Sequence, residues 1–174
     1  MANIRNKTIQ YSIYNKDTGR AVYIGDTSSY TRPSIESLTD TVAGAGLMGE
    51  IDLPAIGQLG SMEAEIAFNK TNADFISLAA PKAHKIEVRW VTDIINTSNA
   101  NVTVEANKEI LTVMPKTAEL GDIEGNATNE ATITFEVLTY QYYIAGRSVI
   151  EIDKLNNVFK VNGTDYSAVI RNNL

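Results

Sequence analysis

The sequence has no cysteine and a single histidine, His84, among its 174 residues. The lack of cysteine excludes disulfide bonds, thiolate metal sites and cysteine nucleophiles. A catalytic triad or a histidine metal site would have to depend on His84 alone. No serine and acid pattern accompanies this residue, which follows Pro81 at the start of a predicted strand. We therefore expect His84 to be structural.

Positive charge is also scarce. The chain has 15 Lys and Arg residues against 21 Asp and Glu residues, a formal net charge of −6. Nucleic-acid binding depends on a basic surface that displaces counterions from phosphates, so this balance argues against it. The apolar runs are far shorter than a membrane span, and no secretory signal is visible. We expect a soluble protein made in a cytoplasm, with residues 1–174 forming one domain.

The most frequent pattern in the sequence is an alternation of apolar and polar residues. In KIEVRWV, Ile86, Val88 and Trp90 alternate with Glu87 and Arg89. A period of two is typical of half-buried antiparallel strands. The same pattern recurs in three segments, whose apolar sides are Met62, Ala64, Ile66 and Phe68; Val102, Val104 and Ala106; and Ile133, Phe135 and Val137.

Turn and helix signals complete the predicted fold. Hairpin turns are expected at NKDTGRA, IAGRS and KLNN, where residues favoured in turns separate apolar runs. Helix signals are limited to residues 71–80 and the C-terminal segment. The sequence therefore predicts a mainly β protein, an antiparallel β-sandwich or barrel of about eight strands with one or two short helices.

Two patterns that resemble catalytic motifs are weak. Asp17-Thr18-Gly19 matches the aspartic-protease triplet, but that mechanism needs two copies, and this one lies in a predicted turn. A glycosidase needs two carboxylates at a defined separation, which a sequence does not show. The alternating acids are expected to form a solvated strand face; they are Glu63, Glu65, Glu136, Glu151 and Asp153.

A glycine-rich segment contains Gly44, Gly46 and Gly49 in the spacing G-x-G-x-x-G. This spacing binds a dinucleotide where a strand leads through a glycine turn into a helix. Pro54 and the glycines that follow prevent a sustained helix here, and Glu65 alone is weak support for a ribose-binding acid. We therefore predict no cofactor site. Because the chain has no cysteine and one histidine, we also predict no metal site.

The same segment is unusually apolar for a loop. Large side chains such as Leu47 and Met48 each gain about 1.5–3 kcal/mol when they are buried, which a neighbouring subunit would allow. Open strand edges also favour pairing between copies. The predicted interface residues are Gly44, Gly46, Leu47, Met48, Gly49, Ile51 and Leu53.

From about residue 9 to the C-terminus, the order of segments resembles the major tail tube protein family of contractile-tailed bacteriophages. The matching parts are the opening hairpin, residues 36–68, the helix that leads into SLAAPKAHKIEVRW, and the closing block from residue 136. The closing block is the most specific, with Tyr142-Tyr143, Ile150-Glu151-Ile152-Asp153, Val161-Asn162-Gly163, Asp165 and Ile170-Arg171 in the family's order.

The resemblance implies a structural protein without enzymatic activity. It implies six-membered rings whose inner strands join into one β-barrel and stack into a tube inside a contractile sheath. It implies a long loop at about residues 33–58 that reaches an adjacent subunit or ring. The expected partners are copies of itself and the sheath, tape-measure, baseplate and tail-terminator proteins, with DNA as passing cargo and no membrane.

Three further expectations follow. Glu63, Glu65 and Glu136 are expected to line the lumen and to repel DNA phosphates within about 8–10 Å, the Debye length. The location is expected to be a virion tail or tail-like particle, assembled in the cytoplasm of a bacterial host. The alternatives are the tube of a phage-derived contractile bacteriocin or injection system and, from another class, an adhesive or carbohydrate-binding β-sandwich.

Overall fold

The computed structural model describes residues 3–44, 46–128 and 130–174, which form twelve strands and two short helices. The strands are β1 (Asn3–Asn15), β2 (Val22–Ile24), β3 (Thr27–Thr31), β4 (Ser37–Val42), β5 (Ile51–Leu59), β6 (Glu63–Phe68), β7 (His84–Asn96), β8 (Val102–Glu119), β9 (Ala131–Ile144), β10 (Arg147–Asp153), β11 (Val158–Val161) and β12 (Thr164–Asp165). The helices are α1 (Ala73–Leu78) and α2 (Ala168–Arg171). The prediction of a mainly β protein with short helices is confirmed.

The strand count exceeds the predicted eight for two reasons. β2, β3, β11 and β12 have only two to five residues each, too few to give a clear alternation in the sequence. The other reason is that residues 33–58, predicted as a long loop, contain β4 and most of β5.

None of the helices in the described part of the chain is long and apolar enough to span a membrane.

Ten of the strands form one antiparallel sheet. Its order is β12-β11-β10-β9-β8-β7-β1-β2, and β6 joins it by pairing with both β9 and β3. The predicted hairpins β1–β2, β9–β10 and β10–β11 are all present. β9 is shared: Ala131–Glu136 pairs with β6, while β10 pairs with its second half. This sharing lets the sheet fold over one core.

The core lies where β6, β7, β9 and α1 meet. The apolar sides predicted for β6 and β9 are confirmed, and so are Ile86 and Val88 of β7. Helix α1 begins after Asn72, whose side chain accepts a hydrogen bond from the Phe75 backbone N–H at 2.9 Å. Phe75 then packs edge-on against Phe68, with 5.4 Å between the ring centroids.

The prediction for the first half of β8 is wrong about which side is buried. Val102 and Val104 are 66% and 61% exposed, whereas Asn107 and Glu109 are buried; Ala106 is exposed as well. Val88 pairs with Glu109 in the register, and this places the odd-numbered residues of β8 on the core side. The partner strand, rather than the alternation within β8, decides which side faces inward.

Candidate subunit interface

The two-stranded sheet of β4 and β5 projects the segment that the sequence singles out. We call residues 37–59 the arm. In its register Val42 pairs with Ile51, and Asp40 pairs with Leu53. Alternation in a strand therefore places Val42, Ile51 and Leu53 on one face, which they share with Asp40. These three residues are 42%, 45% and 50% exposed, so about half of this apolar face is open to water in the isolated subunit.

The opposite face of the arm is polar. Thr41 donates a hydrogen bond from its hydroxyl to Asp52 Oδ1 at 2.6 Å, and these residues are paired in the register. The arm is thus an amphipathic hairpin that reaches water on both sides. Burying its apolar face would release about 25 cal/mol per Å² of apolar area removed from water.

The turn at the tip of the arm holds the rest of the predicted interface. Leu47 is 43% exposed and the Met48 side chain is fully exposed. Gly46 and Gly49 have φ values of 95° and 108°, a conformation that favours glycine. A strand, and not a helix, follows the glycines. The local structure that a dinucleotide fingerprint requires is therefore absent from this part of the described chain.

The base of the arm packs on helix α2 in a way that the sequence did not reveal. Gly57 has a φ of 68°, and a Cβ atom there would lie 2.8 Å from Ser167 Oγ and 3.1 Å from Ile170 Cδ1. The backbone N–H of Gly60 also donates to the Glu36 carbonyl at 2.9 Å. Only a residue without a side chain fits this contact.

Arg32 attaches the other end of the arm to the core. Its Nε donates to Glu109 Oε1 at 2.5 Å, and its Nη2 donates to the Tyr140 hydroxyl at 3.2 Å. The guanidinium also lies over Tyr142 at 4.5 Å and over Trp90 at 5.0 Å. Desolvation lowers the pKa of Arg32, but the Glu109 carboxylate outweighs it, and the pKa lies above its ordinary value. The Arg32 guanidinium therefore remains positively charged.

The environment of Trp90 bears on the adhesive alternative. Its ring is half-buried and stacks on Tyr142 at a centroid distance of 5.6 Å. An adhesive face would present such a ring to solvent, whereas this ring contacts both Arg32 and Tyr142.

The three predicted lumen acids share one outward face of β6 and β9. Glu63 pairs with Glu136 in the register, and Glu65 pairs with Thr134. Lys116 forms a salt bridge with Glu63, and Lys154 Nζ lies 3.0 Å from Glu136 Oε1. Three carboxylates are thus accompanied by two ammonium groups.

Glu136 has the most contacts of these acids. Ser61 donates its hydroxyl to Glu136 Oε2 at 2.6 Å. Burial raises the pKa of Glu136, but the hydrogen bonds from Ser61 and Lys154 outweigh it and hold the pKa below its usual range. The carboxylate is therefore charged but largely compensated. The alternation within β6 and β9 did not reveal the lysines, because only the fold brings them close.

His84 has the structural role that was predicted. Its ring is fully buried, with Nδ1 2.7 Å from Asp17 Oδ2 and Nε2 3.0 Å from the Ala80 carbonyl. Asp17 lies in the β1–β2 turn, as predicted, and its Oδ1 accepts from the Lys85 N–H at 2.8 Å. The described residues contain no group of three or more His, Cys, Asp or Glu side chains arranged to hold a metal.

The other two strand acids are also in local contacts. Glu151 Oε2 lies 3.3 Å from Lys160 Nζ on the adjacent strand. Asp153 Oδ1 accepts hydrogen bonds from the backbone N–H groups of Leu155 and Asn156. Both contacts belong to ordinary hairpin structure.

Comparison with known proteins gives a family and a fold. Residues 8–174 match the family model described as phage tail tube protein FII. No curated protein matches the chain. A similar solved structure is the sheath/tube terminator, in the extended state, of the PVC extracellular contractile injection system. It has a TM-score of 0.50 and 13% identity, over 78% of this chain and 94% of that chain.

Two further structures are similar at lower scores. The PVC sheath-tube complex in the extended state has a TM-score of 0.47 and 13% identity, over 80% of this chain and 89% of that chain. The 6-fold symmetrised baseplate of the anti-feeding prophage (AFP) has a TM-score of 0.41 and 16% identity, over 78% of this chain and 91% of that chain. The family model spans nearly the whole chain, and the chain belongs to the phage tail tube protein FII family.

Proposed function

We propose that this tail tube subunit forms six-membered rings that stack into a tube inside a contractile sheath, with the arm joining neighbouring subunits. The main support is the apolar face of the arm, where Val42, Ile51 and Leu53 remain 42–50% exposed in the described chain. A contact between two different surfaces of one chain produces a closed ring or an open stack, depending on the rotation between copies. The arm is such a surface.

Strand edges support the same proposal. The main sheet ends in β2 at one side and β12 at the other, and β3 is a third edge. An unpaired edge exposes backbone N–H and C=O groups that can pair with another chain. Ring closure by strand pairing would remove these edges. The subunit would then act as a scaffold without catalytic chemistry.

The outward face of β6 and β9 is proposed to line the channel for DNA. Its acids Glu63, Glu65 and Glu136 lie together on this face. Because Lys116 and Lys154 offset two of the three charges, we propose a weakly repulsive wall and not a strongly acidic one. Weak repulsion is sufficient to prevent phosphates from binding.

We propose that the tube is assembled in the cytoplasm of a bacterial host together with sheath, tape-measure, baseplate and tail-terminator proteins. A contractile bacteriocin or injection particle would use the same subunit contacts and carry no genome. Capsid genes beside the gene for this chain would distinguish a phage tail from such a particle.

Deletion of residues 43–53 tests the role of the arm. We expect the purified full chain at high concentration to form rings or hollow rods in negative-stain electron microscopy. The deletion variant should remain monomeric in sedimentation velocity, because it lacks most of the apolar face and the whole tip.

The control is the circular dichroism spectrum of the variant, which should keep the strand signal of the full chain, because the core lies outside the arm. A variant that forms normal tubes would contradict the proposed role of the arm. A full chain that forms neither rings nor rods, even with sheath and baseplate proteins added, would contradict the proposed function.

A further inference from the structure

A row of four side chains crosses four neighbouring strands on the outward face of the main sheet. Ser12 of β1 pairs with Arg89 of β7, Arg89 pairs with Lys108 of β8, and Lys108 pairs with Tyr143 of β9. The sequence neighbour Val88 is in the core, so the Arg89 side chain points outward. We call Arg89 and Lys108 the cationic row.

This row places like charges directly opposite each other, which destabilises an isolated sheet. Local contacts compensate the charges only in part. Glu87 accepts from Arg89 Nε at 2.5 Å, but it also accepts from Lys16 Nζ at 2.6 Å. Lys108 Nζ lies 4.7 Å from the ring centre of Tyr143. Two cations therefore share the Glu87 carboxylate, and Lys108 contacts an aromatic ring instead of a carboxylate, in a protein whose net charge is −6.

A cavity of about 570 Å³ opens beside the cationic row. Val91, Ala106 and Tyr143 contribute to its wall, and Arg89 and Lys108 lie at its lining as well. The cavity thus combines an apolar surface with two positive charges. Such a combination suits a partner with apolar side chains next to carboxylates.

The arm has this chemistry. Residues 37–59 include Asp40, Glu50 and Asp52 and contain no Lys, Arg or His. Glu50 follows the tip, where Met48 is fully exposed. The arm therefore offers negative charge and large apolar side chains within a few residues of each other.

We infer that the cationic row and its cavity receive the tip of the arm from a second copy of this chain. Leu47 and Met48 enter the cavity, and Glu50 lies opposite Arg89 and Lys108. This inference rests on the proposed function and identifies the surface that the arm contacts. A phosphate backbone would match the charges alone. The arm matches both the charges and the apolar wall.

Charge reversal tests the pairing. Lys108→Glu and Glu50→Lys should each raise the critical concentration for assembly about tenfold or more, because each places like charges in the contact. The double variant should assemble at a concentration close to that of the unsubstituted chain. Lys70→Glu, at an exposed lysine after β6, is the matched control and should leave assembly unchanged.

Crosslinking tests the contact directly, because the chain has no cysteine of its own. A Met48→Cys chain mixed with an Ala106→Cys chain should give a covalent dimer on mild oxidation, seen on a non-reducing denaturing gel. A mixture of Met48→Cys and Lys70→Cys chains should not.

Three results would overturn the inference. They are normal assembly of Lys108→Glu, a double variant no better than the single ones, and no crosslink between positions 48 and 106 in assembled tubes. Loss of duplex DNA binding in Lys108→Glu with unchanged assembly would assign the row to nucleic acid instead. If the unsubstituted chain forms no tubes at all, the proposed function itself is contradicted.

Discussion

At the residue scale, the buried charges of this subunit are held by specific partners from distant parts of the chain. Glu109 is fully buried and accepts hydrogen bonds from Arg32, Tyr30 and Tyr140. Burial raises the pKa of Tyr140, and the nearby Glu109 charge raises it further, so the phenol remains a donor. Removing Arg32 would leave the buried Glu109 carboxylate without an opposite charge. Breaking a fully buried ion pair costs about 3–5 kcal/mol, and we expect a smaller cost here because the Arg32 side chain is 46% exposed.

Asp17→Asn tests the second buried contact. Burial raises the pKa of Asp17, but the Lys85 N–H, His84 and Lys82 outweigh it, so the pKa lies below the ordinary value of 3.8. A depressed pKa contributes stability above the unfolded value, and this contribution is lost as the pH falls through the folded value. We expect Asp17→Asn to lower the free energy of unfolding by about 1–3 kcal/mol at pH 7.

The pH dependence is the diagnostic part of this experiment. The difference between Asp17→Asn and the unsubstituted chain in urea unfolding should shrink as the pH falls below 3.8. Asp122→Asn, in an exposed loop, should show no such dependence. A difference that is the same at pH 7 and at pH 3 would contradict the role of the Asp17 charge.

At the element scale, the arm is an amphipathic hairpin fixed at both ends. Arg32 binds the core just before it, and Gly57 packs on α2 near its end. Fixed ends restrict the directions in which the apolar face can point, and this lowers the entropy lost when a neighbour binds. The arm is therefore preorganised as well as exposed.

Gly57→Ala tests the contact with α2. An alanine at this position would have to adopt a φ of 68°, and its Cβ would lie 2.8 Å from Ser167 Oγ. We therefore expect a loss of about 1–3 kcal/mol in the free energy of unfolding. Gly125→Ala is the control, because no atom lies within 4 Å of its Cβ position. Equal urea midpoints for the two variants would show that the contact does not restrain Gly57.

At the scale of the whole molecule, charge is distributed unevenly. The chain has a net charge of −6, yet the cationic row and the three acids of β6 and β9 lie on different parts of the sheet surface. We have proposed that the cationic row contacts another subunit and that the acids face passing DNA. The net charge of the chain by itself does not separate these roles.

The proposed channel face predicts the effect of a triple substitution. Changing Glu63, Glu65 and Glu136 to Lys would add positive charge beside Lys116 and Lys154, so assembled tubes should bind duplex DNA in a salt-dependent manner. Fluorescence anisotropy of labelled DNA measures this, with Asp122→Lys and Glu124→Lys in the exposed loop as the control. Binding no stronger than that of unsubstituted tubes would reject the channel assignment.

The sequence by itself determined the strand alternation, the three hairpin turns, the structural role of His84 and the exposed apolar tip at Leu47 and Met48. These features depend on residues close together in the chain, so local periodicity and turn preferences are sufficient to predict them. The match to the tail tube family was also evident from the order of segments.

Only the tertiary structure decided which side of β8 faces the core, which lysines compensate Glu63 and Glu136, and why position 57 must be glycine. It also placed Arg89 opposite Lys108 and brought Arg32 to Glu109. Each of these features depends on strand register or on packing, and in each case the elements involved are far apart in the chain. One residue of slip would exchange the two faces of a strand, so local sequence alone does not fix such contacts.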